Sequence, residues 1–365
     1  MAVKLGQEVL AWMPGPEHRA PIFFLLGWAE LISGRMEEAQ RLLEASLAIY
    51  RELGDRGHEG IVCGTLAILL MNQGRMKEAH AHFEHELAID RELDNRYREG
   101  IVLLNLGQCY RRQGQMEEAR AHFEAALALC REVGNRRVEG MLLNNLGQLH
   151  RKQGRMEEAR AHLEAALAID REVGSRLAEG NALNTLGSVY FELGDLQVAN
   201  THFQAALTIH REIGSRFMEG LTIGNLGHLH FEQGHVEEAS AHYEAALAIC
   251  REVGNPFGEG EALAALGTLH LRQGRLGEAR EALNQGEAVI RRVGGSLELG
   301  ILLCARAELE HRIGNIGAAR ATLGEAEGIA AHAGAGQGSE LGRKLAKLRQ
   351  ALCERPPLSA LHRPL

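Results

Sequence analysis

The chain has 365 residues, and its composition of 45% hydrophobic and 24% charged residues is that of a soluble, folded protein. Its formal net charge of −8 argues against a general nucleic-acid binder, which needs a cationic surface. The first residues carry Gln7 and Glu8 where a secretory signal needs an apolar core. The most apolar stretch, residues 21–32, is too short to span a bilayer. We therefore expect a cytoplasmic protein with no membrane partner.

The cysteines do not form a metal-binding pattern. There are six of them, and none belongs to a C-x-x-C pair. Most lie in apolar helical stretches, where a free cysteine behaves as a small buried hydrophobe. We expect neither a metal site nor a cofactor.

A repeat of constant length dominates the sequence. Glycine recurs every 40 residues, at Gly34, Gly74, Gly114, Gly154, Gly194, Gly234, Gly274 and Gly314. Alanine follows each of these glycines after five residues, and a second glycine closes most units. Asp94 replaces that second glycine once. A fixed period of this length is typical of a solenoid built from stacked units.

Each unit predicts two amphipathic helices. In the fourth unit Leu143, Leu146 and His150 lie on one face of a first helix, and Met156 and Leu163 lie on one face of a second. Glycine between them suits the left-handed position that follows a helix C-terminus. Because the connections are only a few residues long, neighbouring helices must run antiparallel.

The third unit carries a recognisable signature. It reads N-L-G-Q-C-Y over residues 105–110, and Gly114, Ala119, Phe123 and Ala126 follow at fixed intervals. This resembles the tetratricopeptide repeat, in which small and large residues interlock two helices. The resemblance covers roughly residues 21–332. At 40 residues, the unit is longer than the usual 34. It is similar to the repeats of spindle-orientation adaptors and of bacterial signalling ATPases and regulators.

The resemblance implies an all-α, right-handed superhelical solenoid of about eight antiparallel helix pairs, with a capping helix at each end. We expect a cap helix and linker over 1–20, with the helix itself over residues 3–12. We also expect a linker and cap helix over 335–354, with the helix itself over residues 341–353. The proline-containing tail, 355–365, is expected to be disordered. The solenoid covers 21–334, with units near 21–54, 55–94, 95–134, 135–174, 175–214, 215–254, 255–294 and 295–334.

The first helix of each unit has a core face and an opposite face. We number each unit so that the leucine of N-L-G is position 7, which makes positions 4, 7, 8 and 11 the predicted core. At about 100° per residue, positions 2, 6, 9 and 13 lie opposite. The resemblance implies that these positions line a concave peptide-binding groove, and we call them the concave face.

The side chains of the predicted groove suggest how it binds. The candidates at positions 2, 6, 9, 12 and 13 are Asn105, Gln108, Arg111, Arg112, Asn145, Gln148, Arg151, Lys152, Asn181, Ser188, Phe191, Glu192, Asn225, His228, Phe231 and Glu232. Amides offer both donors and an acceptor to the backbone of an extended peptide. The alternative is that these polar side chains only keep the surface hydrated.

Charge is sorted along this predicted groove. Arg111, Arg112, Arg151 and Lys152 form a basic band. Glu192 and Glu232, beside Phe191 and Phe231, form an acidic and aromatic band. Because arginine binds carboxylates in a bidentate manner, we expect a protein or peptide partner with an acidic segment or a C-terminal carboxylate.

Two further motifs recur. The R-E-x-G-[NS]-R motif is followed by a glutamate in the next helix, for example Glu139 or Glu179, which predicts structural ion pairs of ~0.3 kcal/mol each if exposed. Five histidines, His82, His122, His162, His202 and His242, share one position of the second helix. We interpret them as a packing residue copied by duplication rather than as a metal-binding or pH-sensing ladder.

The sequence therefore predicts a scaffold or adaptor and no enzyme, because no nucleophile or acid–base set can be assembled on it. The alternative is a ligand-sensing or self-associating regulatory module of a bacterial signalling protein. The first unit is rich in aromatics, with Phe23, Phe24 and Trp28, and offers a surface for a homo-oligomer.

Overall fold

A computed structural model of the chain describes residues 15–293, 296–332, 336 and 339–353. Every regular element of this part of the chain is an α-helix. The helices are α1 Pro16–Ile32, α2 Met36–Leu53, α3 Arg56–Asn72, α4 Met76–Glu92, α5 Arg96–Arg112, α6 Met116–Glu132, α7 Arg136–Lys152, α8 Met156–Glu172, α9 Arg176–Leu193, α10 Leu196–Glu212, α11 Arg216–Gln233, α12 Val236–Glu252, α13 Pro256–Arg272, α14 Leu276–Val293, α15 Ser296–Arg312, α16 Ile316–His332 and α17 Glu340–Cys353. The helix predicted over residues 3–12 and the tail 355–365 lie outside the described residues.

The chain divides into two compact units, one ending at Leu146 and the other beginning at Gly147, within α7. In the first unit the pairs α1–α2, α3–α4 and α5–α6 stack on one another. In the second unit α8 is followed by the pairs α9–α10, α11–α12, α13–α14 and α15–α16, and α17 packs against the last pair. The predicted all-α repeat fold of stacked helix pairs is confirmed, and so is a helix at the C-terminal end of the stack.

The periodic glycines close the helices. Gly114 takes φ 78°, a left-handed conformation that a side chain would strain. Past it, the N–H of Gln115 donates to the carbonyl of Tyr110 at 3.0 Å, which satisfies a carbonyl that the helix end leaves open. The same conformation recurs at the other glycines of the repeat, so that each turn has one fixed geometry.

Among the residues that the structure describes, Asp94 is the one non-glycine residue in this left-handed conformation, with φ 50°. Because a Cβ makes that region unfavourable, we expect Asp94→Gly to raise the free energy of unfolding by about 1 kcal/mol. The reciprocal change, Gly134→Asp, places the same strain in the next unit and should lower it by a similar amount. Urea unfolding followed by circular dichroism measures both, and destabilisation by Asp94→Gly would contradict this account of the turn.

The glycine at position 8 lets the two helices of a unit meet closely. A Cβ added to Gly187 would lie 2.6 Å from the ring of Phe203, and one added to Gly227 would lie 2.6 Å from the ring of Tyr243. Such distances are below van der Waals contact, so only glycine fits. This is the predicted interlocking of small and large residues.

The first helices have a wider buried face than predicted. Besides positions 4, 7 and 8, positions 3 and 10 are fully buried, for example Val102 and Cys109 in the first unit and Leu302 and Leu309 in the second. In a stack, the first helix packs against its own partner and also against neighbouring repeats. A narrower part of the surface of each first helix therefore remains for the concave face.

The recurring arginine–glutamate motif forms buried ion-pair clamps. Glu59 accepts hydrogen bonds from Arg51 Nε at 3.0 Å and Arg56 Nη1 at 2.6 Å, and His85 Nε2 lies 2.9 Å away. Arginine pairs of the same kind hold Glu99, Glu139, Glu179 and Glu219. These carboxylates are buried. The ion pairs are as predicted, but the small energy of an exposed pair does not apply to them.

Candidate protein-interaction face

The concave face is built from the first helices of the pairs. In the first unit α1 contacts α3 and α3 contacts α5, and in the second unit contacts join α9, α11, α13, α15 and α17 in succession. Positions 2, 6, 9 and 13 of these helices therefore lie side by side within each unit.

In the first unit the predicted polar residues are less available than expected. Arg111 is half-buried, and its Nε is a buried atom for which the described residues supply no hydrogen-bond partner. Burial lowers the pKa of its guanidinium, and the charge of Arg112 lowers it further. Asn145 is buried and donates to the carbonyl of Met141, one turn back, at 3.0 Å. The expectation that Asn145 faces solvent is wrong, and Arg111 is less exposed than expected.

The remaining candidates of the first unit lie at the surface. Asn105 and Gln108 are half-buried, and Arg112 is exposed. Arg112 Nη1 donates to the carbonyl of Met71 at 3.3 Å, at the end of the neighbouring first helix. The guanidinium thus caps one helix with one nitrogen and presents the rest of its donors to solvent.

In the second unit one ion pair joins the predicted basic and acidic bands. Arg151 Nη1 donates to Glu192 Oε1 at 2.5 Å, so these two residues form one ion pair. Glu232 lies 3.6 Å from Arg272 Nη2, and the Arg272 guanidinium also lies 3.8 Å from the centre of the Phe231 ring. Phe231 is buried beneath it, which corrects the expectation of an exposed aromatic. Lys152 is exposed at the same position as Glu192.

The polar side chains of the second unit bond mainly within the stack. Asn225 Nδ2 donates to Asn184 Oδ1 at 3.0 Å, and Ser188 donates to the carbonyl of Asn184 at 3.2 Å. Exposed His228 pairs with the Tyr243 hydroxyl at 3.0 Å. The remaining candidates, Gln148, Asn181 and Phe191, are half-buried. These residues lie on one face, but several of them form hydrogen bonds with neighbouring residues of the stack.

Sequence reasoning missed an apolar part of the concave face. Leu25, Trp28 and Ile32 occupy positions 6, 9 and 13 of α1, and all three are exposed. Ile68 and Met141 are also exposed, at concave positions of α3 and α7. We call these five side chains the apolar stripe. The sequence does contain the signal: numbering the first repeat from Leu26 as position 7 places Leu25, Trp28 and Ile32 at concave positions.

Four of the repeated histidines pack against rings of the first helices: His122, His162, His202 and His242. The ring centres of Tyr110 and His122 lie 4.8 Å apart, and those of His150 and His162 lie 5.0 Å apart. Across the described part of the chain, no group of three or more histidine, cysteine or acidic residues is arranged to hold a metal ion. No helix among the described residues is long and apolar enough to cross a membrane.

Comparison with known proteins agrees with this architecture. A family model described as Tetratricopeptide repeat matches residues 62–132 and 139–212, and one described as MalT-like TPR region matches 181–331. The chain is a tetratricopeptide repeat protein. No curated protein sequence matches it. The repeat class is typical of protein-interaction and regulatory modules.

Several solved structures share the fold at low sequence identity. Aspartyl phosphate phosphatase F from Bacillus subtilis is 15% identical, with a TM-score of 0.64, and the match covers 84% of this chain and 79% of that one. A plasmid-encoded Rap conjugation gene regulator, solved with a peptide, is 15% identical with a TM-score of 0.61, covering 86% and 79%. A signal transduction ATPase with a tetratricopeptide repeat sensor, from Pyrococcus horikoshii, is 16% identical with a TM-score of 0.58, covering 96% and 54%.

Proposed function

We propose that this protein is a scaffold or adaptor whose concave face binds an extended or helical segment of another protein. The observation that carries the proposal is the apolar stripe, because the fold leaves Trp28, Ile68 and their neighbours exposed on one face. Exposed apolar side chains gathered on one face of a protein mark an interaction site. The peptide-bound structure of the similar Rap regulator supports a peptide as the kind of ligand.

The first unit also supplies a cation beside the apolar stripe. Arg112 is exposed at position 13 of α5, and its bond to the carbonyl of Met71 fixes its position. A carboxylate of the partner, from an acidic side chain or a C-terminus, pairs with Arg112 while apolar side chains anchor on Trp28 and Ile68. An arginine that is already positioned loses less entropy on binding than a free one.

The thiols favour the reducing conditions of the cytoplasm, where we place the protein. Cys63, Cys109, Cys130, Cys250 and Cys304 are buried and form no disulfide among the described residues. Burial raises the pKa of the Cys63, Cys130 and Cys250 thiols to about 11, so that the reactive thiolate is scarce at neutral pH.

Selection from a displayed library of random peptides, followed by calorimetry with the native chain, tests the proposal. For the tightest peptide we expect Trp28→Ala to weaken binding about ten-fold, because a half-exposed tryptophan is an interfacial anchor. Leu53→Ala is the matched control. Leu53 is 45% exposed and Trp28 is 51% exposed, in the same unit, but Leu53 ends α2, a second helix, and so lies off the concave face.

Equal loss of affinity in both variants, or loss only with Leu53→Ala, would contradict the concave face as the binding site. A second copy of this protein could occupy the apolar stripe instead of a peptide. Light scattering on the native chain tests this by measuring its oligomeric state. A stable dimer that Trp28→Ala dissociates would assign the stripe to self-association.

A further inference from the structure

The C-terminal helix reaches the concave face of the second unit. Arg343 of α17 lies with its Nη2 atom 3.6 Å from Glu192 Oε2, at the end of α9. Many residues and several helix pairs separate the two in sequence. Leu341, Leu345 and Leu348 hold α17 in place, because they are buried in one cluster with side chains of α15 and α16. The arginine is therefore presented by an anchored helix.

The burial of Glu192 differs from that of its counterpart in the next repeat. The Glu192 side chain is 15% exposed, whereas the Glu232 side chain at the same position is 50% exposed. One oxygen of Glu192 accepts from Arg151, and the other faces Arg343. Arg343 supplies the second cation from outside the neighbouring repeats and remains partly exposed itself.

We infer that Glu192 is the docking point for a basic side chain of the partner segment, and that Arg343 occupies it in the unbound chain as an intramolecular competitor. The inference rests on the proposed function, since it assigns partner chemistry to the concave face of the second unit. Arg151 is already paired with Glu192, so this unit favours an arginine or lysine of the partner over a carboxylate. Displacing Arg343 exchanges one guanidinium–carboxylate pair for another, which leaves no buried charge unpaired.

Another arginine of α17 shows what a purely structural pair looks like. Arg349 pairs with Glu327 of α16, the helix on which α17 packs. That pair joins adjacent elements and adds to the contact made by the leucines. Arg343 instead bridges α17 to α9. In the stack, α11, α13 and α15 come between these two helices.

Fluorescence anisotropy with two labelled probes tests the inference at low ionic strength. The probes are capped hexapeptides of alternating alanine and arginine, and of alanine and glutamate. We expect Arg343→Ala to bind the arginine probe on the order of five-fold more tightly than the native chain, because the loss of one half-exposed ion pair removes the competitor. Binding of the glutamate probe should not tighten.

Arg349→Ala is the matched control, since it removes the same charge from the same helix and should leave arginine-probe affinity within two-fold of native. Adding Glu192→Gln to Arg343→Ala should abolish the gain. The inference is overturned if Arg343→Ala binds like the native chain, or if the gain survives Glu192→Gln or also appears with Arg349→Ala. If any of these results is found while binding of the selected peptide still depends on Trp28, only the inference about Arg343 and Glu192 is overturned. Loss of Trp28 dependence overturns the proposed function.

Discussion

Truncating Phe203 to alanine is expected to lower the free energy of unfolding by about 3–5 kcal/mol. The Phe203 side chain is buried in α10 and belongs to a core cluster with Leu207, Leu226 and Leu229. Its ring also fills the space beside Gly187, so the truncation opens a cavity at the contact that joins α9 to α10. Urea unfolding followed by circular dichroism measures the loss, and a loss below 1 kcal/mol would show that this contact does not determine stability.

The partner residue provides a second measurement of the same contact. Gly187→Ala forces a Cβ into the Phe203 ring and should cost about 1–3 kcal/mol. In the Phe203→Ala background the clash is gone, so the same change should become neutral or stabilising through helix propensity. Gly277→Ala is the control, because a Cβ there meets nothing within 4 Å. A clash that persists without Phe203 would contradict the interlocking geometry.

Acid should remove the contribution of the Glu59 clamp. Burial opposes ionisation of Glu59, but hydrogen bonds from His85, Arg51 and Arg56 outweigh it and lower its pKa from 4.5 to about 2. A folded-state pKa below the unfolded value gives stability that is present above pH 4.5 and lost as the pH falls towards 2. At about 1.4 kcal/mol per pKa unit, Glu59→Gln should cost about 3 kcal/mol at neutral pH and little at pH 2.

The contribution of Glu59 must be measured by comparing variants, because the pKa values of other buried carboxyls are shifted in the opposite direction. Burial raises the pKa of Glu86 to about 8 and that of Asp170 to about 6, so their contributions are lost as the pH rises. Glu92→Gln is the matched control. Glu92 is exposed and shares Arg56 with Glu59, so its removal should cost no more than about 1 kcal/mol. Equal losses for both variants at neutral pH would contradict the buried clamp.

The sequence was sufficient to predict the helix pairs because the repeat itself carries the information. Gly114 and its equivalents define each turn, and Gly187 with Phe203 defines how the two helices of a pair meet. Both features are local or lie within one unit. A constant period then extends one correctly interpreted unit to all the others.

The candidate site could be predicted only in part. Helical periodicity locates one face of one helix, but at about 100° per residue position 12 lies only about 40° from core position 8. Arg111 is therefore half-buried and Phe231 is buried. Charge banding along the sequence does not show that Arg151 reaches Glu192 in the next repeat. The contact of Arg343 with Glu192 depends on how several pairs stack, which no single unit encodes.

Site-specific photo-crosslinking tests the central claim most directly. Benzoyl-phenylalanine is placed at residue 68, on the concave face, or at residue 53, at the end of a second helix of the same unit, and each protein is irradiated with the tightest selected peptide. The account predicts a covalent adduct at position 68 that excess unlabelled peptide suppresses, and none at position 53. An adduct at position 53 without one at position 68 would contradict binding on the concave face.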